Sequence, residues 1–140
     1  MLACHDRSDG GALVAIAEMC FAGHCGAEIS LSSGENGIAG ALFSEEIGLV
    51  LQVSRTNKDQ VASVFSKHAV AHLLSEIGVV TDALTLTVSV GDQKVLQKSV
   101  IELKRAWWET SYQMQRHRDN PVCAEQEFAC LLYTSDAADE

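Results

Sequence analysis

A chain of 140 residues, 47% of them hydrophobic, can bury one modest core, so a single α/β unit or a piece of a larger protein is expected and two complete domains are not. Its formal charge of −9 repels polyphosphate backbones, and no stretch approaches the roughly 20 apolar residues that cross a bilayer, which sets aside nucleic acid and membrane as partners. Five irregularly spaced cysteines read as reduced thiols, and "MLACHDRSD" lacks a basic region followed by an apolar core, so a cytoplasmic protein is expected.

From Gly11 onward, Leu13, Ile16, Ala17 and Cys20 fall on one helical face, and Gly23 and Gly26 end the helix. Cys20, His24 and Cys25 contain no CxxC pair, so they read as small buried side chains and not as a zinc site. "GAEISL" predicts a short strand and "SSGENG" a loop. "IGLVLQV", residues 47–53, is apolar almost throughout, as a strand covered on both faces would be. Thr56 with Asp59 resembles a capping box opening a helix whose face carries Val61, Val64, Phe65 and His68, the last read as a core histidine. A further strand is expected within "AHLLSEIGVV".

Leu84 to Val90 alternates strictly and turns at Gly91-Asp92, the pattern of a strand entering a hairpin. This β-α-β-β order, with a helix before it, describes an α+β layer with helices packed on one face of a mixed sheet. Ser99 to Arg118 then reads as a long helix with Val100, Leu103, Trp107 and Met114 at helical spacing, stopping at "DNP". Trp107, Trp108 and Tyr112 are expected to pack, and Lys104, Arg105, Arg116, His117 and Arg118 to form a solvated basic face.

Chemistry concentrates in the opening stretch "HDRSDGG". A helix N-terminus offers unpaired amides, and Gly10 and Gly11 have no side chain to keep a phosphate away from them. Asp9 is accounted for as an N-cap. Asp6 is not, and a carboxylate outside the cap beside a phosphate suits Mg²⁺, which takes one or two protein carboxylates and completes its shell with water and phosphate oxygens. Ser8 is small and can donate to a phosphate oxygen. Sequence neighbours such as His5 and Asp6 rarely hold the geometry of an acid/base pair, and neither a nucleophile elbow, a Walker motif nor a G-x-G-x-x-G is present.

"HDRSDGG", "AEMCFAGHCG", "ALFSEEIGLVLQV" and "WWETSYQMQRHRDNPVCAEQEF" together resemble the large, single-chain form of the phosphoribosylformylglycinamidine synthase family, over residues 1 to 128. The resemblance implies an aminoimidazole-ribonucleotide-synthetase-like C-terminal subdomain of the second synthetase half at residues 1–98. A helical connector toward a glutaminase domain is implied at 99–129. It further implies an ATP-dependent ligase that converts formylglycinamide ribonucleotide and glutamine to the amidine, with ADP, phosphate and glutamate released. Mg²⁺ and ATP or ADP are the implied cofactors, with Asp6 as metal ligand and Ser8, beside Gly10 and Gly11, at the nucleotide. No catalytic residue is implied within this chain, so the fragment is expected to be inert alone. Ala12 and Trp108 depart from the family pattern, where a bulkier apolar residue and a small hydroxyl residue are usual. "CLLYTSDAADE", residues 130–140, resembles a translated sequencing adapter and is expected to be a non-native tail. Two alternatives stand beside this reading: a non-catalytic ferredoxin-like module binding an effector or partner, and a sister enzyme such as thiamine-monophosphate kinase or selenophosphate synthetase.

Overall fold

Residues 1–133 are described by a computed structural model. The chain runs β1 (Ala3–Asp6), α1 (Gly11–Gly23), β2 (Gly26–Leu31), α2 (Gly37–Phe43), β3 (Leu49–Gln52), α3 (Lys58–Lys67), β4 (Gly78–Thr81), β5 (Thr85–Val90), β6 (Gln93–Ser99), α4 (Val100–Arg118) and α5 (Pro121–Tyr133). Four strands form a mixed sheet in the order β4-β2-β5-β6, with β2 and β5 parallel and the other two pairings antiparallel. The α+β class with a mixed sheet is therefore as the sequence indicates.

The alternation of β5 sets the sheet's two faces. Leu86, Val88 and Val90 are buried, and the intervening Thr85, Thr87 and Ser89 are half-exposed. The buried set joins Ile16 and Cys20 of α1, Leu42 of α2 and Val100 of α4 in one core cluster, with Leu13, Ala17, Phe21 and Leu103 packed around it. Helices α1 and α4 thus cover the face that the strand pattern points inward. Gly91, at a φ of 58°, makes the β5–β6 turn.

Several expectations are corrected. Strand β3 is shorter than residues 47–53 and pairs with β1 in a separate two-stranded ribbon, His5 opposite Val50 and Asp6 opposite Leu49. It is not covered on both faces: Ile47 and Leu49 are exposed. The β-α-β-β run is consequently not one sheet, which removes the topological basis for a ferredoxin-like module. The capping box at Thr56 does not form. Thr56 shares a hydroxyl hydrogen bond with Ser54 inside a 3₁₀ turn, and Asn57 is the N-cap of α3 without a side-chain cap. No residue of α3 is buried, and His68 is an exposed C-terminal cap, not a core histidine. Only the end of "AHLLSEIGVV" is a strand, because Ala71–Leu73 makes a 3₁₀ turn first.

Helix α4 opens on a true capping box. Ser99 Oγ accepts from the Ile101 amide, and the Ser99 amide donates to Glu102. At its other end Asp119 is extended ahead of Asn120-Pro121, and the chain re-enters a helix at Pro121. Helix α5 folds back on α4 through stacked Tyr112 and Phe128 rings 4.3 Å apart and a Gln115–Glu127 hydrogen bond of 2.6 Å. Of the expected α4 stripe, Val100 and Leu103 pack while Trp107 and Met114 are exposed. Lys104 departs from the solvated face: it is buried, with its ammonium 4.7 Å from the Trp108 ring centroid, and desolvation lowers its pKa. The stretch expected as a connector, 99–129, falls on α4 and part of α5, which continues to Tyr133; residues 134–140 of the expected tail lie outside the described residues.

Candidate nucleotide and metal loop

The loop from Arg7 to Gly10 links the end of β1 to the start of α1, and its neighbours dictate its shape. The Arg7 amide donates to the Gly48 carbonyl at 2.9 Å, extending the β1–β3 ribbon by one bond. Its guanidinium reaches the Ala41 carbonyl at 3.4 Å and the Glu46 carboxylate at 3.6 Å, while Nε is buried without a hydrogen-bond acceptor. The segment that follows α2 is thereby tied down over the loop.

Gly10 and Gly11 take φ values of 78° and 73°, a region L-residues with a Cβ rarely enter. A Cβ on Gly10 would lie 2.5 Å from Val14 Cγ2, and one on Gly11 would lie 2.6 Å from the Phe43 carbonyl carbon. The two glycines are required by backbone handedness and by the close approach of α1 to α2. The expectation that their amides stand open to a phosphate is corrected as well: the Gly11 amide closes a turn onto the Ser8 carbonyl at 3.0 Å, and the Gly10 amide donates to Glu45 Oε1 at 3.1 Å. Asp9 does not cap the helix. Gly10 holds the N-cap position, and no side chain bonds there. Glu45 is the acid that sequence spacing missed, because it comes from 35 residues away.

Asp6 and Ser8 are brought together on the exposed side of this loop. The Ser8 hydroxyl, then a backbone amide, hold the Asp6 carboxyl below the ordinary carboxylate range, with a smaller contribution from the His5 ring. Asp6 is an ionised side chain 66% exposed. His5, on the next strand position, faces α1: its Nδ1–H donates to the Asp6 carbonyl at 2.7 Å, and Nε2 lies 3.0 Å from Glu18 Oε2. Glu18 is the only charged residue of α1, which was the available signal that it has a partner.

Among the described residues no three His, Cys, Asp or Glu side chains converge to hold a metal. All five cysteines are free, and burial, followed by the neighbouring Cys25, pushes the Cys20 thiol up to about 12. One hard carboxylate with an adjacent hydroxyl nevertheless fits an ion such as Mg²⁺ that draws its remaining ligands from water and phosphate.

The sequence profile of the family described as AIR synthase related protein, C-terminal domain, matches residues 1–91. Among solved structures, PurLQS from Thermotoga maritima is similar with a TM-score of 0.59 and 21% identity, over 70% of this chain and 18% of that one. PurL of T. maritima complexed with ATP is similar with a TM-score of 0.56 and 19% identity, over 70% of this chain and 18% of that one. Phosphoribosylformylglycinamidine synthase II from the same organism gives 0.56 and 19%, with 17% of its length covered. The chain thus spans less than a fifth of the length of these structures, and what it shares with them is the fold.

Proposed function

The chain belongs to the AIR synthase related proteins, as their C-terminal domain, and on that premise we propose that it is part of an ATP-dependent synthetase of purine biosynthesis. The reaction we assign to the intact protein is the amidation of formylglycinamide ribonucleotide, driven by ATP, with nitrogen from glutamine. The matched PurL complexed with ATP supports the nucleotide assignment, and the four sequence stretches quoted above support the single-chain, glutaminase-linked form. Residues 1–98 are the synthetase subdomain in this reading and 99–129 the connector.

One observation carries the reading: an ionised, exposed Asp6 held by Ser8 at the mouth of the β1–α1 loop. In this proposal Asp6 holds Mg²⁺ and Ser8 donates to the nucleotide. When bound there, Mg²⁺ would supply charge neutralisation at the phosphates. Gly10 and Gly11 shape the turn, and the Gly10 amide reaches a phosphate oxygen by exchanging it for Glu45. Among the described residues this loop offers one metal carboxylate, and in this proposal residues 1–140 alone are inert for ADP release.

The test is Asp6→Asn in the full-length synthetase, with bound ADP extracted from the purified protein. Loss of a hard anionic ligand should lower Mg-dependent retention by about tenfold or more, with the unfolding curve unchanged. Retention equal to wild type removes Asp6 from the metal shell.

A further inference from the structure

We infer that His5 and Glu18 are a positioning pair that fixes Asp6 for its cation, an inference that rests on the metal reading above. Along β1 the half-buried His5 ring reaches α1 while the Asp6 side chain is exposed, yet the two meet: His5 Nδ1 lies 3.5 Å from Asp6 Oδ1 besides bonding the Asp6 carbonyl. Asp6 is the last residue of β1, paired with Leu49, and a single further ribbon bond, Arg7 amide to Gly48 carbonyl, follows it. A terminal strand residue with an exposed side chain has little packing to hold its backbone. The His5 Nδ1–H bond to the Asp6 carbonyl, at 2.7 Å, adds to the hold of the ribbon bonds.

His5 is itself anchored. Its Nε2 meets Glu18 Oε2 at 3.0 Å, with the two side chains 30% and 27% exposed. A half-buried carboxylate in an otherwise uncharged helix costs free energy unless a partner offsets it. Here the partner is a ring whose opposite edge grips the residue proposed to bind metal. The link therefore runs from the middle of α1 through the ring to the Asp6 peptide, in the manner of outer-shell groups that orient metal ligands. Neither His5 nor Glu18 is proposed as a ligand of the ion or the nucleotide. They act through Asp6.

The experiment titrates Mg²⁺ against retention of a fluorescent ADP analogue by the full-length synthetase, and records its unfolding temperature without nucleotide. Glu18→Ala and His5→Ala should each raise the Mg²⁺ midpoint by about tenfold. His5→Asn, whose amide nitrogen replaces Nδ1 as donor to the Asp6 carbonyl, should recover most of that shift. In an Asp6→Asn background, Glu18→Ala should add nothing, a result that general loosening of α1 would not produce. Unchanged midpoints in both alanine variants overturn the pair's role, and so does a Glu18 effect that persists undiminished without Asp6. Wild-type retention that ignores Mg²⁺ defeats the underlying metal reading instead, and the pair's role falls with it.

Discussion

Gly11 shows how one residue serves packing where a ligand was expected. Its φ of 73° and the nearness of the Phe43 backbone leave no room for a methyl group. Gly11→Ala should destabilise the fold by about 2–4 kcal/mol, the sum of left-handed strain and overpacking, as measured by chemical unfolding. A loss below about 0.5 kcal/mol would show that α2 yields to the methyl group. Glu45 is the counterpart, an acid whose carboxylate sits on the amide at the mouth of the loop. If a nucleotide phosphate must replace it there, Glu45→Gln, a weaker acceptor without charge, should tighten Mg-ADP binding to the full-length protein severalfold by isothermal titration; weaker binding would instead make Glu45 part of the site.

Helix ends decide which elements the sequence could announce. Helix α4 carries Ser99 and Glu102 at capping-box spacing, and the structure makes both bonds. Ser99→Ala should cost about 1 kcal/mol of stability in urea unfolding, since it leaves the Ile101 amide without its acceptor. Thr56 and Asp59 offer a similar pattern, yet the hydroxyl turns to Ser54, and the helix begins one residue later. Spacing shows that a cap can form; the preceding 3₁₀ turn determines whether the side chain points at the helix. Helix α2, with the sequence GIAGALF, has two glycines in seven residues and so carries a weak helical signal. It exists because Leu42 is buried in the core and because Gly11 lets α1 come close.

Over the whole molecule, one face of a four-stranded sheet is sealed by α1 and α4, while the β1–β3 ribbon carries the candidate loop along the edge of α1. Cys20 belongs to that sealed layer. Its thiol ionises near 9.0 in an unfolded chain and at about 12 in the fold, so the native state keeps a proton that the unfolded state loses. This contribution is complete below pH 9 and is lost as pH rises from there toward 12. Urea unfolding should therefore show stability falling between pH 8.5 and 10.5, and Cys20→Ala should flatten most of that slope; a wild-type profile level across about two pH units would place the thiol in contact with water.

The local sequence determined the elements whose pattern is also their environment: α1 from its apolar spacing, the β5–β6 hairpin from alternation and Gly91, and α4 from its stripe and its stop before Pro121. It also singled out Asp6 and Ser8 for the proposed site, although the capping role it gave Asp9 does not form. Only the tertiary structure decided that β3 joins β1 and not the sheet, that α3 buries nothing, and that Lys104 goes inside beneath Trp108. The same holds for the loop's surroundings, where Glu45 takes one glycine amide and Glu18 anchors His5. Periodicity records which side of an element is apolar, whereas a strand's partner and a charge's counterpart depend on contacts between residues that are distant in the chain.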